Sequence, residues 1–215
     1  MIISHEHEAY KKRFLTFNEN RFNGAYYYSR EIVRNIIPRV ETDRNWVTIN
    51  IQGTAADHAV VFIHNNMYPA AYAWLREYDD LVLVCGVPST CEKVSYIAPA
   101  IYLPLSIDVA EVLKYRTEKT KKRAFVGRAS KRNGVSFPEG TDFLEGLPRR
   151  ELLAEMARYE EVYAVGRCAI EARALGCKIL PYDLRYPDPS IWEVIDNKYA
   201  AQILQEKLDE IDKRR

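Results

Sequence analysis

Two short apolar runs in the second half of the chain end in the same pair of residues. Ala124-Phe125-Val126 is followed by Gly127-Arg128, and Val162-Tyr163-Ala164-Val165 by Gly166-Arg167. A glycine lets backbone approach a ligand closely, and an arginine offers a planar fork of donors to anionic oxygens. The second pair leads into Cys168 to Leu175, which reads as a short helix closed by Gly176. A helix start presents open N–H groups and the positive end of its dipole, both of which suit phosphate. Lys131 follows the first pair closely and adds a point charge, with Arg132 competing for the same role. Glu171 falls about one turn into the helix, where a carboxylate can accept from ribose hydroxyls. Gly127, Arg128, Lys131, Gly166, Arg167 and Glu171 form a candidate nucleotide-diphosphate site, in which Glu171 is expected to face a cleft and to be replaceable without loss of the fold.

These residues need a scaffold that brings strand ends together. Ile32, Val33, Ile36 and Ile37 recur at helical spacing before Pro38. Strands follow over Trp46–Ile51, Ala59–Ile63 and Leu81–Cys85, with a helix over Tyr68–Tyr78 and too few residues over Gly53–Asp57 for another. Ser89–Tyr96 reads as a short helix capped by Ser89, and Ile101–Leu103 as a short strand. Leu105–Thr120 changes character and marks a boundary. Beyond it come strand Ala124–Val126, a loop to Gly146, a helix begun by Pro148 with Leu152, Leu153, Met156 and Ala157 on one face, strand Val162–Val165, the Cys168–Leu175 helix and strand Lys178–Leu180. A last helix carries Tyr199, Ile203, Leu204, Leu208 and Ile211.

Short apolar strands alternating with helices imply parallel sheets covered on both faces. The expected fold is α/β: two small, doubly wound, Rossmann-like domains facing a cleft. Their expected limits are 1–106 and 107–195, with a C-terminal helix over 196–215. Ligands of such sheets bind beyond the C-terminal strand ends. His64, Gly86, Arg128, Arg167 and Asp183 all follow strands.

In the first half His64 is the catalytic candidate, since it ends a buried strand and imidazole can act as a base near neutral pH. Asn65 and Asn66 offer neutral sugar contacts or a turn, and His58 with Asp57 is a rival base pair. His5 and His7 alternate with Glu6 and Glu8, but no further ligands follow at metal spacing. The aromatic residues of this half, among them Tyr26, Tyr27, Tyr28, Tyr68, Tyr72 and Trp74, read mainly as core.

The segment Glu171-Ala-Arg-Ala-Leu-Gly176 before a strand resembles the donor-binding domain of GT-B glycosyltransferases, in particular glycosyltransferase family four. Phe125-Val-Gly-Arg-Ala-Ser-Lys131 is similar to the family's element whose Arg and Lys neutralise the donor diphosphate, and Leu144-Glu-Gly-Leu-Pro-Arg-Arg-Glu-Leu-Leu153 to its segment near the nucleotide base. All three occur in family order over residues 124–183. The resemblance implies that Glu171 holds ribose, that Arg128 and Lys131 hold diphosphate, and that His64 touches the donor sugar or serves as base. Tyr163 stands where many retaining members have a second Glu, which leaves retention or inversion open. Over the first 105 residues the resemblance is slight; Asn23-Gly24 is the one remnant of the family's first glycine loop.

Composition bounds the rest. The chain has 215 residues, 47% hydrophobic and 28% charged, with Lys plus Arg at 31 against Asp plus Glu at 30. That balance gives no ground for nonspecific nucleic-acid binding, so nucleic acid enters only as an acceptor. The basic run from Lys114 to Arg132 suits a small anion or forms a solvated face. Cys85, Cys91, Cys168 and Cys177 form no Cys-x-x-Cys pair and read as reduced thiols of a cytoplasmic protein. No apolar run is long enough to span a bilayer. Asp-x-Asp, P-loop, Gly-x-Ser-x-Gly and His-Glu-x-x-His motifs are missing. The expected function is metal-independent, cofactor-free glycosyl transfer from a nucleotide-diphosphate sugar, with UDP as the nucleotide, to an unknown acceptor. The alternatives are a non-catalytic nucleotide or nucleotide-sugar binding protein and, behind it, a sugar-nucleotide epimerase.

Overall fold

A computed structural model describes residues 2–4, 31–49, 57–63, 75–76 and 78–214. The chain divides into two compact units. The first holds the described residues up to Pro104 together with those from Lys198 onward, and the second holds Leu105–Asn197.

The first unit has a parallel sheet of five strands: β1 (Ile2–Ser4), β2 (Asn45–Ile49), β3 (Ala59–Ile63), β4 (Leu81–Cys85) and β5 (Ala100–Tyr102). The strands Ala-Val-Val-Phe-Ile and Leu-Val-Leu-Val-Cys show no polar alternation, and every residue of both is buried, as a sheet covered on both faces requires. Val47, Val61, Ile63, Leu81 and Leu83 gather on one face with Leu75 and with Val94 of helix α1 (Pro88–Val94). Period-two alternation sends Phe62 to the other face, where it stacks on Trp46 at 5.9 Å. Ser89 does not cap α1. Val87 occupies that position in extended conformation, and Pro88 takes the first turn, where its missing N–H costs nothing. Pro38 likewise lies inside the final 3-10 turn, Ile37–Arg39, which follows a π-helical turn over Ile32–Ile36.

Helix α5 (Asn197–Asp212) buries Ala200, Ala201, Leu204 and Leu208. Its polar side ties to the segment before β2: Arg44 Nη2 donates to Asp212 at 2.6 Å, and the Glu41 N–H to Gln205 Oε1 at 2.6 Å. Tyr199, expected on its apolar face, is 58% exposed.

The strands of the first sheet run β1-β2-β3-β4-β5, in chain order and without reversal. A doubly wound sheet needs a reversal, so that expectation is corrected for this unit. Apolar periodicity identifies strands but carries no information on which side of its predecessor each strand is laid.

The second unit does reverse. Its parallel strands are β6 (Lys121–Val126), β7 (Asp142–Leu144), β8 (Tyr159–Tyr163) and β9 (Lys178–Leu180), in the order β7-β6-β8-β9. From β6 the chain goes to one side for β7 and then returns to the other side for β8. The crevice of an open α/β sheet forms at such a point, outside the carboxyl ends of the strands. Helices α2 (Val109–Leu113), α3 (Arg149–Met156) and α4 (Arg167–Ala174) complete the unit. Asp108 caps α2 by accepting the Glu111 N–H at 2.8 Å. Leu152, Leu153, Met156 and Ala157 are all buried, as the spacing of that face requires.

Strand β6 begins three residues earlier than expected, and this changes the meaning of the basic run. Lys121 pairs with Glu155 at 2.6 Å, Lys122 with Glu160 at 2.7 Å and Arg123 with Glu161 at 2.7 Å. Lys119 Nζ donates to the carbonyls of Ala157 and Leu175, at 2.8 and 2.9 Å, where α3 and α4 end. A cation at a helix C-terminus satisfies orphan carbonyls and meets the negative end of the dipole. This part of the run serves the fold at the end of β6 away from the crevice, and the anion reading does not apply to it. Among the described residues no helix is long and apolar enough to cross a membrane.

Candidate active site

Four of the candidate residues follow the two central strands of the second sheet, Gly127 and Arg128 after β6, Gly166 and Arg167 after β8. The backbone after Arg128 enters a 3-10 turn over Ala129–Arg132, with the Lys131 N–H donating to the Arg128 carbonyl at 2.9 Å. This turn folds the Lys131 side chain back across Gly127. A Cβ on Gly127 would stand 3.0 Å from Phe125 Cζ, so the phenyl ring would have to give by a few tenths of an ångström, and 3.8 Å from Lys131 Cδ, in ordinary contact with the stem of the lysine.

The ammonium of Lys131 lies 5.8 Å from the ring centroid of Tyr186, within the range of a cation–π contact. Burial holds its pKa below the usual lysine value, and the nearby Arg128 cation lowers it further. Its neighbours in the run are paired. Arg132, the rival for the diphosphate role, donates to Glu145 at 2.6 Å and lies over Phe143. Among the described residues no carboxylate stands within ion-pair distance of Lys131. A partly buried cation without a counter-ion is held at a desolvation cost that an anionic ligand would offset.

Gly166 caps α4 with φ +62 and ψ −137, a conformation closed to residues with a Cβ. Its carbonyl accepts from the N–H groups of Ala169 and Ile170, at 3.0 and 3.2 Å, which points the first turn of α4 at the crevice. Cys168, in that turn, has its thiol pKa pushed up to about 11, first by burial and then by Glu171. It stays protonated at neutral pH.

Glu171 is not on an open wall. It is 3% exposed, and its Oε1 accepts from Arg167 Nε at 2.7 Å and from Arg149 Nη2 at 3.0 Å. Arg149 is itself buried and continues to Glu111 at 2.8 Å. Glu171 thus orients two arginines across α2, α3 and α4, and sequence alone gave no hint of Arg149 or Glu111 as its neighbours.

Six rings gather at the same end of the sheet. Phe137 meets Tyr163 at 5.1 Å, Phe125 at 5.3 Å, Phe143 at 5.7 Å and Tyr182 at 5.8 Å, and Tyr182 meets Tyr186 at 5.5 Å. Tyr163, where a second Glu was expected by resemblance, is therefore a packing residue of this cluster. The signal for it was present in Phe125, Tyr163 and Tyr182, which stand at or just beyond the ends of β6, β8 and β9.

In the first unit His58 precedes β3 with φ +53. Its Nδ1 lies 2.6 Å from Asp80 Oδ2 and its Nε2 3.0 Å from Asp43 Oδ1. The carboxylates it meets are therefore not that of Asp57, and it sits at the N-terminal end of the strand, away from the edge where parallel sheets bind ligands. His64, Asn65 and Asn66 lie outside the described residues, as do His5, His7, Asn23, Gly24, Tyr26, Tyr27, Tyr28, Tyr68, Tyr72 and Trp74. The four cysteines are free thiols. No family model, curated protein or solved structure matches the chain.

Proposed function

We propose that the second unit binds a nucleotide-diphosphate sugar and that the protein is a metal-independent glycosyltransferase of the GT-B type. The observation that carries the reading is the partly buried ammonium of Lys131, which lies across Gly127 and has no carboxylate partner among the described residues, while Lys121, Lys122, Arg123 and Arg132 each have one. Arg128, Arg167 and the N-terminus of α4 add further donors for a diphosphate at the ends of β6 and β8. In the transfer step the bond from the anomeric carbon to the diphosphate oxygen breaks. Its electron pair leaves with the nucleoside diphosphate, and the acceptor oxygen forms the new bond. Fixed cations stabilise the charge that develops on the leaving group. His64 is the group assigned on sequence to the sugar or to the acceptor proton.

The test is a calorimetric titration with UDP in the absence of divalent metal. The wild type is expected to bind, and Lys131→Met to lose about tenfold or more in affinity, on the scale of a hydrogen bond to a charged group. Lys122→Met, whose ammonium pairs with Glu160, serves as the control and is expected to bind as the wild type does. Equal affinity in all three removes Lys131 from the site.

A second reading, nucleotide-sugar binding without transfer, draws support from Glu171, whose carboxylate is engaged by two arginines, and from Tyr163 in the aromatic cluster. Release of UDP from a UDP-sugar supports transfer; protection against unfolding without release supports binding alone.

A further inference from the structure

A cavity of about 420 Å³ opens within the second unit beyond the ends of β8 and β9, lined by Ala164 and Val165 on one side and by the segment from Leu180 to Pro189 on the other. Its size is that of a small-ligand pocket. The walls are aliphatic residues, prolines, Tyr182, Tyr186 and two aspartates; Arg185, in the same segment, is not among the lining residues and donates to Asp183. The two aspartates differ. Asp183 accepts from Arg185 Nε at 3.0 and 2.8 Å, so its charge is answered. Asp188 accepts from Ser190, whose backbone N–H stands at 2.8 Å, and among the described residues no cation pairs with it. Hydrogen bonds from the side chain and backbone of Ser190 hold its carboxyl below the usual range, so it is ionised at neutral pH.

Tyr186 links the cavity to the phosphate site, because it lines the one and lies under the ammonium of Lys131 in the other. A phosphate on Lys131 therefore carries its substituent toward walls that offer tyrosine and proline faces to C–H groups and a carboxylate to hydroxyls. The same carboxylate repels a second negative charge.

We propose that this cavity receives the uncharged, hydroxyl-bearing ring attached to the phosphate, and that Asp188 selects a neutral sugar over an acidic one. The inference deepens the nucleotide-diphosphate sugar reading and rests on it.

The experiment titrates the full chain with UDP, UDP-glucose and UDP-glucuronic acid, using the wild type and Asp188→Asn. Asparagine keeps the capping bond to Ser190 and removes the charge. The wild type is expected to bind UDP-glucose about tenfold tighter than UDP-glucuronic acid. In Asp188→Asn the ratio should fall to about threefold or less. A wild-type ratio near one, or a ratio that Asp188→Asn leaves unchanged, overturns the proposal while UDP binding still upholds the nucleotide reading. A matching loss of affinity for UDP alone in Asp188→Asn also overturns it, by assigning the cavity to the nucleoside. Absence of UDP binding in the wild type overturns the nucleotide reading and the inference with it.

Discussion

Arg149 and Glu171 face each other at 3.0 Å with both side chains almost wholly buried, on the adjacent helices α3 and α4. Each answers the other's charge and each has one further partner, Arg167 for Glu171 and Glu111 for Arg149, so removing either residue leaves the other buried and only partly compensated. Arg149→Met is therefore expected to destabilise the protein by about 1.5–3 kcal/mol. Glu171→Ala should cost a similar amount, contrary to the expectation that Glu171 can be replaced without loss of the fold. Urea denaturation of both variants checks this. A variant of either residue within about 0.5 kcal/mol of wild type contradicts the buried pairing.

Gly166 makes a separate prediction. Its φ of +62 with ψ near −137 is open to glycine alone, so Gly166→Ala must either strain the turn or rotate the start of α4. The expected cost is about 1–3 kcal/mol, together with loss of UDP affinity, because the first-turn N–H groups no longer point at the ligand. Gly140 also has positive φ, at +75, and a Cβ there meets no atom within 4 Å. Gly140→Ala is the backbone-strain control, expected to lose stability and keep UDP affinity. Equal retention of affinity in both variants removes the α4 N-terminus from the site.

The bounds of three strands were legible in the residues themselves. Ala59–Ile63 and Leu81–Cys85 are uninterrupted apolar runs with polar or glycine borders, Lys178–Leu180 lies between Cys177 and Pro181, and the strands have those bounds. Strand β7 was not legible: it is three residues long at a sheet edge, with Phe143 47% exposed, and presents no buried run to detect. The glycine-arginine turns could be read because turn chemistry is local. The pairing of Lys121, Lys122 and Arg123 with Glu155, Glu160 and Glu161 could not, since it depends on which strand and helix lie beside β6. The same holds for Arg149 beside Glu171, and for the distinction between Lys131 and Arg132, which turns on the position of Glu145.

The ion pairs along β6 give the protein a direction of pH sensitivity. Hydrogen bonds from Lys121 and Arg123 hold the carboxyls of Glu155 and Glu161 below their usual value of 4.5. The folded state therefore binds these protons more weakly than the unfolded chain does. Their contribution is complete above pH 4.5 and is lost as pH falls through the lowered folded values. Thermal melts from pH 6 downward should show the wild type losing stability faster than Glu155→Gln/Glu161→Gln, which starts lower and changes less. Parallel pH profiles would show that these pairs carry no net stabilisation, as many exposed pairs do not.

Tyr182 bears the opposite kind of feature, a buried group with nothing to answer it. Its hydroxyl is sequestered from solvent and has no hydrogen-bond partner among the described residues, and burial pushes its pKa up. Leaving a hydroxyl unsatisfied costs about 1–3 kcal/mol of desolvation, whereas the ring is well used against Phe125, Phe137 and Tyr163. Tyr182→Phe keeps those ring contacts and removes the orphan oxygen, so stability should rise by about 1 kcal/mol. Tyr182→Leu removes the aromatic contacts as well and should fall below wild type by about 1–3 kcal/mol. Equilibrium denaturation of the three proteins under one condition separates the two contributions. If Tyr182→Phe instead loses 1 kcal/mol or more, the hydroxyl is hydrogen-bonded in solution, and its place in the wall of the cavity makes an ordered water the partner to look for.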